Sequence, residues 1–330
     1  MLTALHQQVR RTIQRYDLLP EGSRVLVGLS GGSDSVALTT LLLDLSAHGE
    51  FTVAGCAHLN HELRASADRD EQFCGVFAGK IGLPIRFARG GVKSYALEHR
   101  VSVEEAARKI RYSFLTTTAE ALGADCIAVG HTRDDQAETL LMKLMRGAGQ
   151  TGLAGIYPRR GMVIRPLLDV SRDELRDWLK SRSQDWVEDE SNADVENPRN
   201  RIRLRVLPEL AKALGGDPRP AIARTAALLR EDGEWLEAEA ERNFRALVQQ
   251  RADGLAFEAS GLARLPGPLE ARVLRNALRL VAGDREVTQE HVELARAVLQ
   301  GKSGAADVPG ARVELWRGIL VLLERKAAPK

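Results

Sequence analysis

VLVGLSGGSDS, residues 25–35, decides how the rest of the chain is read. Its first five residues form a continuous apolar run of strand length, and helical spacing of apolar residues extends from Ser35 to Leu45. Two adjacent glycines between a strand and a helix let the backbone approach a ligand closely, and N–H groups at the start of the next helix bind anions. By position, Ser30, Gly31, Gly32, Ser33, Asp34 and Ser35 therefore form a phosphate cradle. It is not a Walker A loop, because it has no GK[ST] and no lysine. Asp34 inside a phosphate loop would repel a bare polyphosphate, which points to Mg2+ between them with Asp34 as its ligand. The competing reading is a strand-to-helix turn that merely uses Gly and Ser caps.

Outward from this stretch, buried-type strands alternate with helices. Strands are expected at residues 53–58, 84–88 and 126–129, and helices at 67–81, 103–122 and 134–145. This pattern predicts an α/β fold, a doubly wound parallel sheet covered on both faces. In such sheets ligands bind at the carboxyl ends of strands, so chemistry is expected after Leu29, His58 and Val129. A polar stretch at 181–200 reads as a loop, and GGDPRP at 215–220 as a breaker. A long charged helix follows at 221–249, then helices at 269–281 and 288–299 and a hairpin near 308–323. The expected division is a catalytic domain over 1–214, a connecting long helix over 215–250 and a small α+β domain over 251–330.

The chain has 330 residues, 44% hydrophobic and 28% charged, as expected of two globular domains. No apolar run reaches the about 18 residues that span a bilayer, and the first 15 residues lack a signal peptide's apolar stretch, so a soluble cytoplasmic protein with no membrane partner is expected. Cys56, Cys74 and Cys126 lie in apolar stretches with no CxxC pair, which excludes a disulfide framework, a zinc ribbon and most iron–sulfur sites. Aromatics at 5% argue against a base-stacking surface of the RRM kind. The net charge of +2 divides into −2 over residues 1–142, +5 over 143–230 and −1 over 231–330. The basic excess thus sits in the middle of the chain. Of the basic residues 38 are Arg and 9 Lys, which a GC-rich genome would also produce.

Several polar groups stand where the expected topology puts ligands. Asp134, Asp135 and Glu138 follow the fourth strand, and in a helix beginning near Asp134 the first and last of them share a face. Acidic residues in a first turn are also favoured simply as caps. His58, Asn60, His61 and Arg64 follow the second strand; the HxxH spacing lacks a third metal ligand, leaving a polar loop at the nucleotide or substrate, or for His58 a structural histidine. His131 directly follows the fourth strand. Arg108 and Arg111 share a helical face. Arg199, Arg201, Arg203 and Arg205 form the densest basic run, with no acid between 197 and 208. Their spacing puts all four on one face of a strand or spreads them around a helix. Phosphate contact and a solvated face are the two readings of such a run.

SGGSDS resembles the signature of the N-type ATP pyrophosphatases (PP-loop enzymes), which split ATP into AMP and pyrophosphate. AHLNHELR (57–64), EEAARKIRYSFL (104–115), GHTRDDQAETLLMKLMRGAG (130–149), RPLL (165–168) and DESNADVENPRNRIRLRVLPEL (189–210) narrow the likeness. Together they resemble the tRNA(Ile)-lysidine synthase family, as far as about residue 210 and more weakly beyond. The resemblance implies an ATP-dependent carbon–nitrogen ligase: ATP with Mg2+ adenylates the wobble cytidine of a CAU anticodon in tRNA(Ile), L-lysine displaces AMP, and decoding changes from AUG to AUA. It implies catalysis by Asp34, Asp134, Asp135 and Glu138, and ATP contacts from the phosphate loop, His58, Asn60, His61, Gly130 and His131. It also implies tRNA contacts from Arg64, Arg108, Arg111 and the four arginines at 199–205, and a tRNA-binding C-terminal domain, where Arg272, Arg275 and Arg279 share a helical face. A homodimer stays open. The rivals are a sulfur-inserting tRNA enzyme, disfavoured by the absence of CxxC, an amidating ligase, and a non-catalytic ATP-binding module.

Overall fold

In the computed structural model, which describes residues 2–62, 67–188 and 194–324, the elements of the first part run in the order α1 (Ala4–Arg15), β1 (Ser23–Gly28), α2 (Ser33–Ser46), β2 (Phe51–Asn60), α3 (Ala67–Lys80), β3 (Ile85–Arg89), α4 (Val92–His99), α5 (Val103–Ala121), β4 (Cys126–Ala128) and α6 (Arg133–Leu144). There follow α7 (Gln150–Leu153), β5 (Arg159–Arg160), β6 (Val163–Ile164), α8 (Arg172–Ser181), α9 (Pro198–Arg201), a π-helical turn Ile202–Val206, α10 (Leu207–Leu214) and the long α11 (Arg219–Leu247). The chain divides into two compact units, Met1–Arg230 and Glu231–Lys330. The division falls within α11: Ala226 and Arg230 are buried with the first unit, whereas Ala240 and Phe244 belong to the core of the second.

The first unit holds a six-stranded sheet in the order β3-β2-β1-β4-β6-β5, parallel except for β5 against β6. Successive residues of β1 point to opposite faces, and both faces are covered. Val25 and Val27 pack with Val36, Leu38, Leu41 and Leu42 of α2, Val9 of α1 and Leu175 and Leu179 of α8. Leu26 packs on the other side with Ile127, Leu115 and Ala119. Each fully buried Leu or Val contributes about 1.5–3 kcal/mol relative to exposure. The expected doubly wound α/β architecture is thus present. Because β1 lies between β2 and β4, the strand order reverses beside it, and the crevice beyond the ends of β1 and β4 is the topological switch point.

The second unit has β7 (Val248–Arg251), β8 (Gly254–Glu258), α12 (Ala259–Ala263), α13 (Gly267–Ala282), α14 (Gln289–Leu299), β9 (Ala305–Val308), β10 (Ala311–Trp316) and β11 (Ile319–Glu324). Its sheet, β7-β8-β11-β10-β9, is antiparallel throughout. The expected hairpin is β10–β11, closed by Arg317 and Gly318 with φ of +48° and +81°, the left-handed pair that matches strand twist in a two-residue turn. Among the described residues no helix is long and apolar enough to cross a membrane.

Candidate active site

The phosphate loop starts where β1 ends and α2 begins. Gly32 is the N-cap of α2 and brings no side chain to the first-turn N–H groups; the Ser35 N–H donates to the Gly32 carbonyl at 3.1 Å, which leaves those of Ser33 and Asp34 for an anion. The Ser35 hydroxyl donates to the Gly32 carbonyl at 3.0 Å and accepts from the Ser30 N–H at 3.1 Å, which closes the loop on itself. Gly130, just past β4, presses against this turn. A Cβ there would lie 3.1 Å from the Asp34 carbonyl carbon and 3.2 Å from the Ser35 nitrogen, so a methyl group would fit only if that backbone gave by a few tenths of an ångström.

Four carboxylates gather beside the loop, and an arginine that the sequence reading passed over holds three of them. Arg172, the first residue of α8, donates from Nε to Asp34 at 2.9 Å, from Nη2 to Asp135 at 3.3 Å, and lies 3.8 Å from Glu138. Its backbone N–H donates to Asp134 at 2.9 Å. Asp135 does two things at once: one oxygen accepts from the N–H and hydroxyl of Thr132 in a capping box, and the other faces Arg172. Asp134 also accepts from Arg219 at 2.6 Å.

Glu138 is fully buried, with Arg203 at 2.6 Å and Arg199 at 3.0 Å. Of the four-arginine run, then, Arg199 and Arg203 reach the site. The run is helical, and residues four apart share a face. Arg201 instead donates to the carbonyls of Val195 and Glu196, and Arg205 is exposed.

Electrostatics differ between neighbours. Burial raises the Asp34 carboxyl above its ordinary range, although Arg172 pulls the other way. Burial also works against charge on Asp135, but Arg172, His131 and Arg199 outweigh it and hold that carboxyl below its ordinary range. The Arg172 guanidinium, itself desolvated, is held firmly charged by Asp34, Asp135 and Glu138.

Next to the carboxylates lies a second group. Burial lowers His131 to about 4, so its imidazole is neutral, and its Nδ1 accepts from Arg165 Nε at 3.2 Å. Arg165 is buried, donates to the Tyr157 carbonyl at 2.7 Å and is hydrogen-bonded with Tyr112. Arg108 and Arg111 lie over the Tyr112 ring at 5.5 and 5.4 Å.

The residues after β2 stand apart from this cluster. The buried His58 ring meets the Leu29 carbonyl at 2.9 Å and Cys74 Sγ at 3.3 Å, behind the phosphate loop. Asn60 donates to Asp68 and Glu71 and accepts from the Glu62 N–H, a local network that ties β2 to α3. His61 is half-buried, and Arg64 lies outside the described residues.

The family described as "PP-loop domain" matches residues 1–210. A tRNA(Ile)-lysidine synthase of Geobacter sulfurreducens is 38% identical over 324 residues, covering 96% of this chain and 67% of the relative. One from Dehalococcoides mccartyi is 36% identical over 300 residues, covering 88% and 63%. The chain thus spans about two thirds of the length of these curated relatives, and less of the second than of the first. Among solved structures, the U34-tRNA thiolase NcsA from Methanococcus maripaludis with its 4Fe-4S cluster superposes with a TM-score of 0.55 at 18% identity, covering 68% of this chain and 78% of that one. That likeness concerns the fold.

Proposed function

The chain belongs to the tRNA(Ile)-lysidine synthase family, and on that premise we propose that it joins L-lysine to the wobble cytidine of the CAU anticodon of tRNA(Ile), with ATP split into AMP and pyrophosphate and decoding changed from AUG to AUA. The observation that carries this reading is the meeting of an anion cradle with Asp34, Asp135 and Glu138 around Arg172, at the ends of β1 and β4. Phosphoryl chemistry needs donors and positive charge beside the phosphates, and an amine nucleophile needs carboxylates.

In the first step the ring carbonyl oxygen of cytidine attacks the α-phosphorus, the new O–P bond forms, and the bond to pyrophosphate breaks. In this reading the N–H groups of Ser33 and Asp34 at the start of α2, with the guanidiniums of Arg172, Arg199 and Arg203, offset the charge that builds on the leaving group. In the second step the lysine amine attacks the activated ring carbon, and AMP departs with the oxygen. The amine must lose its proton to attack, and one of the carboxylates Asp134, Asp135 and Glu138 takes it up as general base. His131, neutral and hydrogen-bonded to Arg165, orients that guanidinium without adding charge.

Among the described residues no three His, Cys, Asp or Glu side chains gather as a metal cage. Asp34, in the first turn of the helix that follows the phosphate loop, would supply one protein oxygen to Mg2+ carried in by the phosphates of ATP. There it would neutralise phosphate charge.

Sulfur insertion is poorly served by this chain. Burial pushes the Cys56 and Cys74 thiols up to about 12 and Cys126 to about 11, so none is a thiolate at neutral pH. The remaining rivals separate on ATP–pyrophosphate turnover measured with and without CAU-anticodon tRNA. Turnover that requires the tRNA is expected. Turnover that ignores tRNA and responds to an amide acceptor contradicts the proposal, and ATP binding with no turnover at all leaves a non-catalytic module.

A further inference from the structure

Cations from α5, α6 and β5 act on one another near Tyr112 and Arg165. Arg108 on α5 lies over the Tyr112 ring, and Arg165 is hydrogen-bonded to that tyrosine. Lys143 near the end of α6 donates to the Gly155 carbonyl at 3.3 Å and is half-buried. Arg160 on β5 is exposed. Charges of the same sign act within this group: Arg160 and Arg108 both bear on Lys143, and both bear on Arg165. Burial and these two neighbours lower the Lys143 ammonium below its ordinary range, and burial is the larger cause.

Among the described residues none of Arg108, Lys143 and Arg160 makes an ion pair, and Glu105 on the same helix as Arg108 is taken by Lys109 at 3.0 Å. Most other basic side chains around the site have a carboxylate: Arg172, Arg199, Arg203 and Arg219 all do. Gathering like charges on a partly desolvated surface costs stability unless a ligand supplies the opposite charge. The residue types also fit a polyanion: exposed arginines on separate elements match successive phosphates, and a lysine adds a point charge. Through Arg165 and its hydrogen bond to His131, the group is continuous with the candidate active site.

We propose that Arg108, Lys143 and Arg160 form a landing site for consecutive phosphates of an RNA backbone, which holds the strand while its reactive base lies at the carboxylates. This rests on the tRNA reading given above and adds Lys143 and Arg160 to it. The same charges would attract the phosphates of ATP, and the test separates the two sources.

Binding of unmodified CAU-anticodon tRNA is measured over a range of salt concentrations for the wild-type chain and for Arg160→Gln, Lys143→Gln and the conservative Arg160→Lys, with ATP affinity measured on the same proteins. Each Gln variant should weaken tRNA binding about three- to tenfold and lower the slope of log K against log salt by about 0.7–0.9, one phosphate contact. Arg160→Lys should restore most of the slope, and ATP affinity should not change. Unchanged tRNA binding and slope in both Gln variants overturns the landing site. So does a loss confined to ATP affinity, which would assign the cluster to the nucleotide. If the wild-type chain itself shows no salt-dependent tRNA binding, the tRNA reading falls with it. Arg160 is exposed, so its variants test the proposal even if Lys143→Gln fails to fold.

Discussion

The guanidinium of Arg172 donates to the carboxylate of Asp34 at 2.9 Å, bridging two helix N-termini that are 138 residues apart in the chain. Arg172 is the hub of the site: it joins the phosphate loop of α2 to the acids of α6. Its side chain is 15% exposed and the Glu138 side chain 0%, so the charges interact in a largely desolvated setting.

Replacing Arg172 with Met should leave Asp34, Asp135 and Glu138 facing one another without their shared counter-charge. Removing one partner of a buried ion pair costs about 3–5 kcal/mol, and partial exposure of the arginine places the loss at the lower end. Urea denaturation reads this directly. Millimolar Mg2+ without nucleotide should raise the melting temperature of the variant by several degrees and leave the wild type unchanged. A variant as stable as wild type and indifferent to Mg2+ contradicts the hub.

Glu138→Gln tests the other end of the network. The carboxylate is shared by Arg199 and Arg203, with Arg172 nearby, and the three guanidiniums retain some solvent. A stability loss of about 2–4 kcal/mol is expected. In a double-mutant cycle with Arg203→Gln the two changes should couple by about 1–3 kcal/mol. Simple additivity would show that the pairing carries no energy.

Asp34→Ala should abolish adenylation while the fold persists, because the residue lies in the first turn of α2 and its carboxyl is already raised by burial. Circular dichroism and ATP–pyrophosphate turnover on one preparation check both halves. Adenylation at wild-type rate in this variant would refute the role given to Asp34.

Gly130→Ala adds a single methyl group where the structure leaves 3.1–3.2 Å to the backbone of Asp34 and Ser35. That backbone cannot yield like a flexible side chain, so the phosphate loop itself must shift. ATP affinity should fall at least about tenfold, a change of about 1.4 kcal/mol, with little effect on far-ultraviolet circular dichroism. Unaltered affinity, measured by calorimetry, would mean that the two loops do not need their close approach.

His131 gives a dependence on pH with a definite sign. Its folded value, about 4, lies below the ordinary 6.5, so the unfolded chain binds the proton more readily in between. Stability from this group is present above pH 6.5 and lost as pH falls toward 4. Between pH 7 and pH 5 the wild type should lose about 2 kcal/mol relative to His131→Gln. Denaturation midpoints of the pair at both values measure this difference, and parallel curves would contradict a buried neutral imidazole.

Much of the fold is legible in local pattern, and much of the site is not. The apolar run ending at Leu29 and its glycines announce a buried strand and a phosphate turn, and β4 is recognisable despite three residues because Cys126, Ile127 and Ala128 are all apolar. β5 and β6 have two residues each, too few to show a period. Arg172 sits in Ser-Arg-Asp-Glu, which locally is an ordinary capping box between Ser171 and Glu174; its role arises from Asp34 and Asp135, 138 and 37 residues distant. The sequence spacing left strand and helix open for the four arginines, and the helix selects Arg199 and Arg203 for Glu138. Asn60, an expected nucleotide contact, spends its amide on Asp68 and Glu71, and no spacing rule foretells that α3 would carry those acids to it.

The most direct test of the central claim is transfer of labelled lysine to tRNA. Purified protein is incubated with ATP, Mg2+, labelled L-lysine and a CAU-anticodon isoleucine tRNA, with and without ATP. The proposed ligation predicts label in the tRNA only when ATP is present, located at the wobble cytidine. ATP consumption with no label in the tRNA would contradict it.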